Sequence, residues 1–218
     1  GTGWSRGNGD EIMEHPLLLD YGGISGWMIL LLLGGGSIAS FIYQVQKASR
    51  LVMLGASDNR FDSWGARFSE ILTGWLGQKK VLRDRVAGTM HVMMFWGMLM
   101  LASDMFDLAT ANAFSTKVLP ESLNGPWNGI VEFGYSIALI GCIAAFLRRV
   151  VFTPEKLKGK SQLEGNFILF LIFTITTTSF IVESGESPSS TWEPVGAWVA
   201  NQGLSDGVLI GSYWAHML

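Results

Sequence analysis

The stretch RVAGTMHVMMFWGMLMLASD, Arg85–Asp104, decides how this chain is read. Between its bracketing charges lie 18 residues with no formal charge. At about 1.5 Å per residue, a helix of that length spans about 27 Å, close to the hydrocarbon thickness of a bilayer. One histidine, His91, sits inside the run. An imidazole at such a depth gives up water on both ring nitrogens, which marks it as a functional candidate once a partner can be named.

Working outward, four more apolar runs fall at 24–45, 127–147, 166–182 and 207–218. Of the 218 residues, 49% are hydrophobic and 15% charged. An ordinary soluble domain carries about 25% charged residues. Charges gathered between long uncharged runs predict an all-α polytopic transmembrane helix bundle, with four full helices and the start of a fifth. The last run has 12 residues after Asp206, half of what a crossing needs, so the chain is expected to be truncated at its C-terminus. Residues 1–23 are expected to form an extracytoplasmic segment ahead of the 24–218 bundle. Its acids Asp10, Glu11 and Glu14 do not resemble a cleavable signal peptide.

Lysine and arginine set the expected orientation. The 46–85 loop carries Lys47, Arg50, Arg60, Arg67, Lys79, Lys80, Arg83 and Arg85, and the 148–165 loop carries Arg148, Arg149, Lys156, Lys158 and Lys160. Only Arg6 and Lys117 fall on the other side, so thirteen of fifteen positive charges share one face. The positive-inside rule puts both loops in the cytoplasm and the N-terminus outside, in a multi-pass protein of the cytoplasmic (inner) membrane. Within the first loop, Phe61, Trp64, Phe68, Ile71, Leu72 and Trp75 recur at helical spacing. Residues 60–77 are therefore expected to lie as an amphipathic helix along the cytoplasmic interface, as an anchor or as a docking floor. The 183–206 loop, with Trp192, Pro194 and Trp198, reads as an outer cap. In the first apolar run, Gly34-Gly35-Gly36 and the spacings Gly35/Ala39 and Gly36/Ser40 predict close helix packing or a flat ligand.

The chain has three histidines. His15, before Pro16, lies outside the first helix and needs no special explanation. His216 lies in GSYWAHML, Gly211–Leu218. His91 is about 9 Å inward from Arg85, and His216 about 15 Å inward from Asp206 on the opposite face. Their levels then differ by about 6 Å in a core about 30 Å thick. Two deep imidazoles on antiparallel helices suit axial ligation of one heme iron. Packing against Ser or Thr, and a proton or ion pathway, remain alternatives, the latter through Glu132, Asp104, Asp107 and Glu183. Those acids gather toward the outer end, with Glu183, then Glu132 or Asp107, as candidate proton relays. Arg83, Arg85, Arg148 and Arg149 stand at the cytoplasmic helix ends, either to meet heme propionates or as the plain signature of topology. The single cysteine, Cys142, cannot build an iron–sulfur cluster, a zinc site or an internal disulfide. No nucleic-acid partner is expected.

Three stretches carry a resemblance: GQKKVLRDRVAGTMHVMMFWG at Gly77–Gly97, SFIVESGE at Ser179–Glu186 followed by WEPVG at Trp192–Gly196, and SYWAH at Ser212–His216. Together they resemble the five-helix membrane cytochrome b family that includes the gamma subunit of respiratory nitrate reductase and the membrane subunit of heterodisulfide reductase. The nearest likeness is to the membrane domain of heterodisulfide-reductase-like iron–sulfur oxidoreductases, over residues 24 to 218. The resemblance implies heme b held by His91 and His216 on the second and fifth helices. It also implies a quinone site near a heme edge, and electron exchange with a cytoplasmic iron–sulfur protein or a missing C-terminal iron–sulfur domain. Electron-transferring flavoprotein would stand upstream. The nitrate reductase subunit has two ligand histidines on its second helix, whereas here the tenth residues before and after His91 are Val81 and Leu101. The expected function is a membrane heme b subunit passing electrons between that partner and the quinone pool, a redox subunit rather than a complete enzyme. The alternatives are a heme-free anchor of a redox complex and a proton-translocating bundle.

Overall fold

The computed structural model describes residues 3–5, 12–14, 16–55, 63–114, 121–152, 163–186 and 188–217. A small ribbon pairs β1 (Gly3–Ser5) with β2 (Ile12–Glu14). The other described elements are helical: α1 (Gly26–Met53), α2 (Trp64–Glu70), α3 (Arg85–Phe114), α4 (Glu121–Val150), α5 (Leu163–Ser184), α6 (Pro194–Ala200) and α7 (Asp206–Met217). Four of them, α1, α3, α4 and α5, are long and apolar enough to cross a membrane, and α7 adds 12 residues of a fifth. The all-α multi-pass bundle expected from the apolar runs is therefore what the backbone forms. His15 and Phe61 lie outside the described residues, as do the side chains of Asp104 and Asp107.

The chain divides into two compact units. One is built mainly from Glu14–Gly77. In it, residues 16–25 fold back over the start of α1, where the Gly26 and Trp27 N–H groups donate to the carbonyls of Leu19 (3.0 Å) and Leu17 (3.1 Å). A Cβ on Gly26 would collide with the Pro16 carbonyl, so this close return requires glycine. Among the described residues of this unit, nothing lies within 4 Å of where side chains at Gly34, Gly35 and Gly36 would begin.

The amphipathic helix expected over 60–77 forms in two pieces. After α2, residues Ile71–Leu76 widen into a π-helix, closed by Gly77 N–H donating to Leu72 O at 2.8 Å. The Thr73 hydroxyl donates to Ser69 O at 2.7 Å, competing for a carbonyl that a regular α-turn would use. Trp64, Phe68 and Trp75 are exposed.

The other unit is built mainly from Gln78–His216. Its tightest seam joins α3 to α4 through residues without bulk. A Cβ on Gly97 would collide with the Gly134 carbonyl and the Ala138 methyl, and one on Gly141 would lie 2.9 Å from Met93 Cβ. Small residues bring membrane helices this close, and dispersion contacts follow. A core of Leu101, Val131, Tyr135 and Phe180 joins α5 to the pair, with the Tyr135 and Phe180 rings edge to face at 5.7 Å. The threonines of α5 turn inward on their own helix. Thr174, Thr176 and Thr178 donate to Phe170 O (2.9 Å), Ile172 O (2.8 Å) and Thr174 O (2.8 Å), so polar side chains sit in an apolar span with their hydrogens occupied.

Candidate functional site

His91 sits in the second turn of α3. Residues 91, 94, 95 and 98 share one helix face, and residues 165, 168, 169 and 172 share one face of α5, both by the spacing of successive turns. These faces border a cavity of about 320 Å³. Its wall is Met94, Phe95, Met98, Ile168 and Ile172, with Arg149 from the last turn of α4. The surroundings are apolar apart from the imidazole and one guanidinium. His91 is exposed and borders the cavity.

His216, half-buried on α7, brings Nδ1 to 3.2 Å from the Thr178 hydroxyl oxygen on α5. That hydroxyl has one hydrogen, shared between Thr174 O at 2.8 Å and Ile175 O at 3.0 Å. With that hydrogen on either carbonyl, the Thr178 oxygen accepts from Nδ1–H and the ring's lone pair falls on Nε2. Helix α5 thus meets His216 at Thr178 and borders the His91 cavity at Ile172, about 9 Å away along its axis. The sequence alone names both imidazoles, and the Thr178 contact is found only in the fold.

The four arginines separate. Arg148 reaches Asp84 at 3.8 Å. Arg83 and Arg85 are exposed, and Arg149 lies over Gly165 at the rim of the His91 cavity.

The acids form an anchor at the opposite end of the unit. Glu132, only 3% exposed, accepts from Val195 N–H at 3.0 Å and from Gly196 N–H at 2.8 Å. Glu183 packs on the other side of Gly196, where an added Cβ would lie 3.0 Å from its carboxylate. Sequence reasoning passed over Glu193, which is buried and accepts from Asn128 Nδ2 and Ser189 N–H, both at 3.0 Å. Its signal was available: an acid directly before a proline is a common way to open a helix, and here it opens α6.

Two further apolar hollows border α4 and α5, one of about 280 Å³ beside Cys142 and Phe170, one of about 380 Å³ beside Thr177 and Trp198. Thr177 breaks the pattern of its helix, because its buried hydroxyl has no hydrogen-bond partner. Among the described residues, no group of three or more His, Cys, Asp or Glu gathers as a metal site.

No family model matches the chain, and no solved structure does. Two characterised proteins are similar to it. One is the EtfAB:quinone oxidoreductase of Syntrophomonas wolfei subsp. wolfei, 26% identical over 147 residues, which cover 67% of this chain and 20% of that protein. The other is described as "Probable iron-sulfur-binding oxidoreductase FadF" of Bacillus subtilis, 24% identical over 207 residues, covering 89% of this chain and 29% of that protein. The chain spans less than a third of either relative. It is a membrane-embedded helix bundle related at a distance to quinone-linked and iron–sulfur oxidoreductases.

Proposed function

We propose that this chain is the membrane module of a quinone-linked redox complex and holds one b-type heme between His91 and His216. The observation that carries the heme is the pairing of two placements on α5. His216 Nδ1 lies 3.2 Å from the Thr178 hydroxyl, a contact that suits the tautomer whose Nε2 lone pair can bind iron, and His91 borders an apolar cavity walled by the same helix. A heme bound there would supply reversible one-electron transfer. The chain's own residues have simpler tasks: Thr178 sets the His216 ring plane, and Met94, Met98, Ile168 and Ile172 keep water from the site. Near Thr177, a quinone carbonyl would find a hydroxyl donor in an apolar hollow.

In this reading the basic helix ends face the cytoplasm and the N-terminal segment lies outside. An iron–sulfur partner, or an iron–sulfur domain of a longer chain, docks on the basic face. The name of the Syntrophomonas wolfei relative supports an electron-transferring flavoprotein upstream.

A heme-free anchor is the second reading. It needs nothing beyond the fold and the two similarities, and His216 already has a hydrogen-bond partner in Thr178. It is the more economical account of those findings. A proton path through Glu132 has less support, because both carboxylate oxygens are held by backbone N–H groups.

One spectrum separates the readings. A dithionite-reduced minus air-oxidised spectrum of the purified protein, with a pyridine hemochrome assay, should show heme b, lost in both His91→Ala and His216→Ala. A folded but colourless wild-type protein leaves the anchor. A b-type spectrum that survives either substitution removes that ligand.

A further inference from the structure

We infer that the hollow beside Cys142 is a seat for the reduced form of a lipid-soluble quinone, whose ring hydroxyl donates to Asn166 Oδ1. The inference rests on the quinone-linked reading above and does not depend on the heme. Asn166 stands in the first turn of α5 and lines this hollow of about 280 Å³. Its side-chain oxygen is buried and has no hydrogen-bond partner. A buried acceptor without a donor is costly, and a ligand that brings the donor recovers that cost. The Cys142 thiol is already engaged, because it donates to Leu169 O at 3.1 Å. The remaining side chains of the lining are apolar, with Phe146, Phe170 and Phe173 beside Ile143 and Leu147. A water held there would find one side-chain partner where it needs about two to four. A flat ring carrying a hydroxyl meets both the aromatic wall and the lone acceptor.

The wall also tells where such a ligand enters. Ile143, Phe146, Leu147, Phe170 and Phe173 are between 43% and 61% exposed, on two helices long and apolar enough to cross a membrane. In a bilayer that side meets acyl chains, so entry is from lipid rather than from water. Asn166, Phe170, Phe173 and Thr177 fall on one face of α5 by the spacing of successive turns. The crevice between α4 and α5 therefore carries an unpaired polar atom in each of two hollows, about 16 Å apart along α5. The two atoms differ in kind. Thr177 has a hydroxyl hydrogen to give to a carbonyl, which the oxidised ring presents. Asn166 Oδ1 can only accept, and the reduced ring supplies the hydrogen. The two hollows thus suit the two redox forms of one molecule.

The test uses the full-length protein in detergent and calorimetric titration, with the heats of empty micelles subtracted. Menadiol and its dimethyl ether, in which both hydroxyls are capped, are titrated without oxygen into reduced protein. Menadione, which has carbonyls alone, is titrated into oxidised protein. Wild type should bind menadiol about tenfold more tightly than the ether, the scale of one hydrogen bond to an otherwise unpaired buried group. Asn166→Leu should erase that preference by weakening menadiol alone, with no loss of thermal stability, since it replaces an unpaired polar group by an apolar one of similar size. Ile143→Trp, which fills the hollow, should weaken menadiol and ether together. Thr177→Val should leave the menadiol preference intact. Equal binding of menadiol and ether by wild type, or a preference that survives Asn166→Leu, overturns the seat. So does a preference lost in Thr177→Val, which places the hydroxyl in the other hollow. If Asn166→Leu weakens menadione instead of menadiol, the amide donates, and the assignment to the reduced form is overturned. In each of these cases saturable menadione binding keeps the quinone-linked reading standing. If wild type binds none of the three probes saturably, that reading falls and takes the seat with it.

Discussion

Two sets of glycines in this molecule look alike on paper and behave differently in space. In α1, Gly34, Gly35 and Gly36 have open space where a side chain would begin. In α3 and α4, the space where a side chain would begin at Gly97, Gly134 and Gly141 is taken up by the opposing helix. None of the apolar window of α1 is buried, against 39% of that of α4. Small residues one turn apart state that a helix can be approached; they do not state that it is. What decides is the opposing surface. The α3–α4 seam has one, with Met93, Met100 and Ala138 placed against the glycines.

The largest effect should come from the filled seam. Gly97→Val has no room to relax, since the colliding atoms are backbone and a short side chain. It should cost about 3 kcal/mol or more, by the scale of overpacked cores and backbone strain. Reversible unfolding in mixed detergent would measure this. Next comes Glu132→Ala, which strands the buried Gly196 N–H and the part-buried Val195 N–H and should cost about 2–4 kcal/mol. Hydrogen exchange at Val195 and Gly196 would locate the loss, and Glu132→Gln should recover part of it. Gly129→Ala pushes a methyl to 2.9 Å from the Trp192 carbonyl and should cost about 1–2 kcal/mol. A red shift in Trp192 fluorescence would report it. The smallest effect belongs to α1: Gly35→Val should stay within about 0.5 kcal/mol, the usual range at an open site. If Gly35→Val costs as much as Gly97→Val, the contrast between the two glycine sets is broken. A reactivity measurement sharpens it. A lipid-soluble maleimide should label Gly35→Cys readily and leave Cys142 untouched, because Cys142 is 2% exposed and its thiol donates to Leu169 O at 3.1 Å.

The helices were legible wherever an apolar run ended in charge. Their ends were less so. The run between Arg85 and Asp104 became a helix over Arg85–Phe114, because backbone hydrogen bonding continues past the apolar stretch into residues such as Ala109 and Ala111 that favour helix. The seven residues of α6 were hidden inside a stretch read as loop, although Pro194 stands at a favoured first helical position. The π-helix over Ile71–Leu76 has no pattern that distinguishes it from an ordinary amphipathic turn.

At the candidate site, His91 and His216 could be named because imidazoles deep in apolar runs are rare. Their surroundings could not be named. Whether Thr178 or Thr174 meets His216, and whether Arg148 or Arg149 enters the cavity, depends on how each helix is rotated about its axis. That rotation is set across the bundle by contacts such as Gly97 against Gly134. Glu132 shows the same limit. Its type suggested a proton carrier, and its partners turned out to be backbone amides 63 residues away.

Those 63 residues also have a meaning in time. A chain is made at about 5–20 residues per second, so Val195 and Gly196 follow Glu132 out of the ribosome by about 3–13 seconds. For that interval α4 carries a carboxylate whose two donors do not yet exist. Until then these two donors do not offset its loss of water, so α4 is expected to settle to its final depth when the segment opening α6 arrives. A loop synthesised later would therefore seat a helix inserted long before it. Arresting translation between residues 150 and 190 should catch α4 displaced toward water at its Glu132 end.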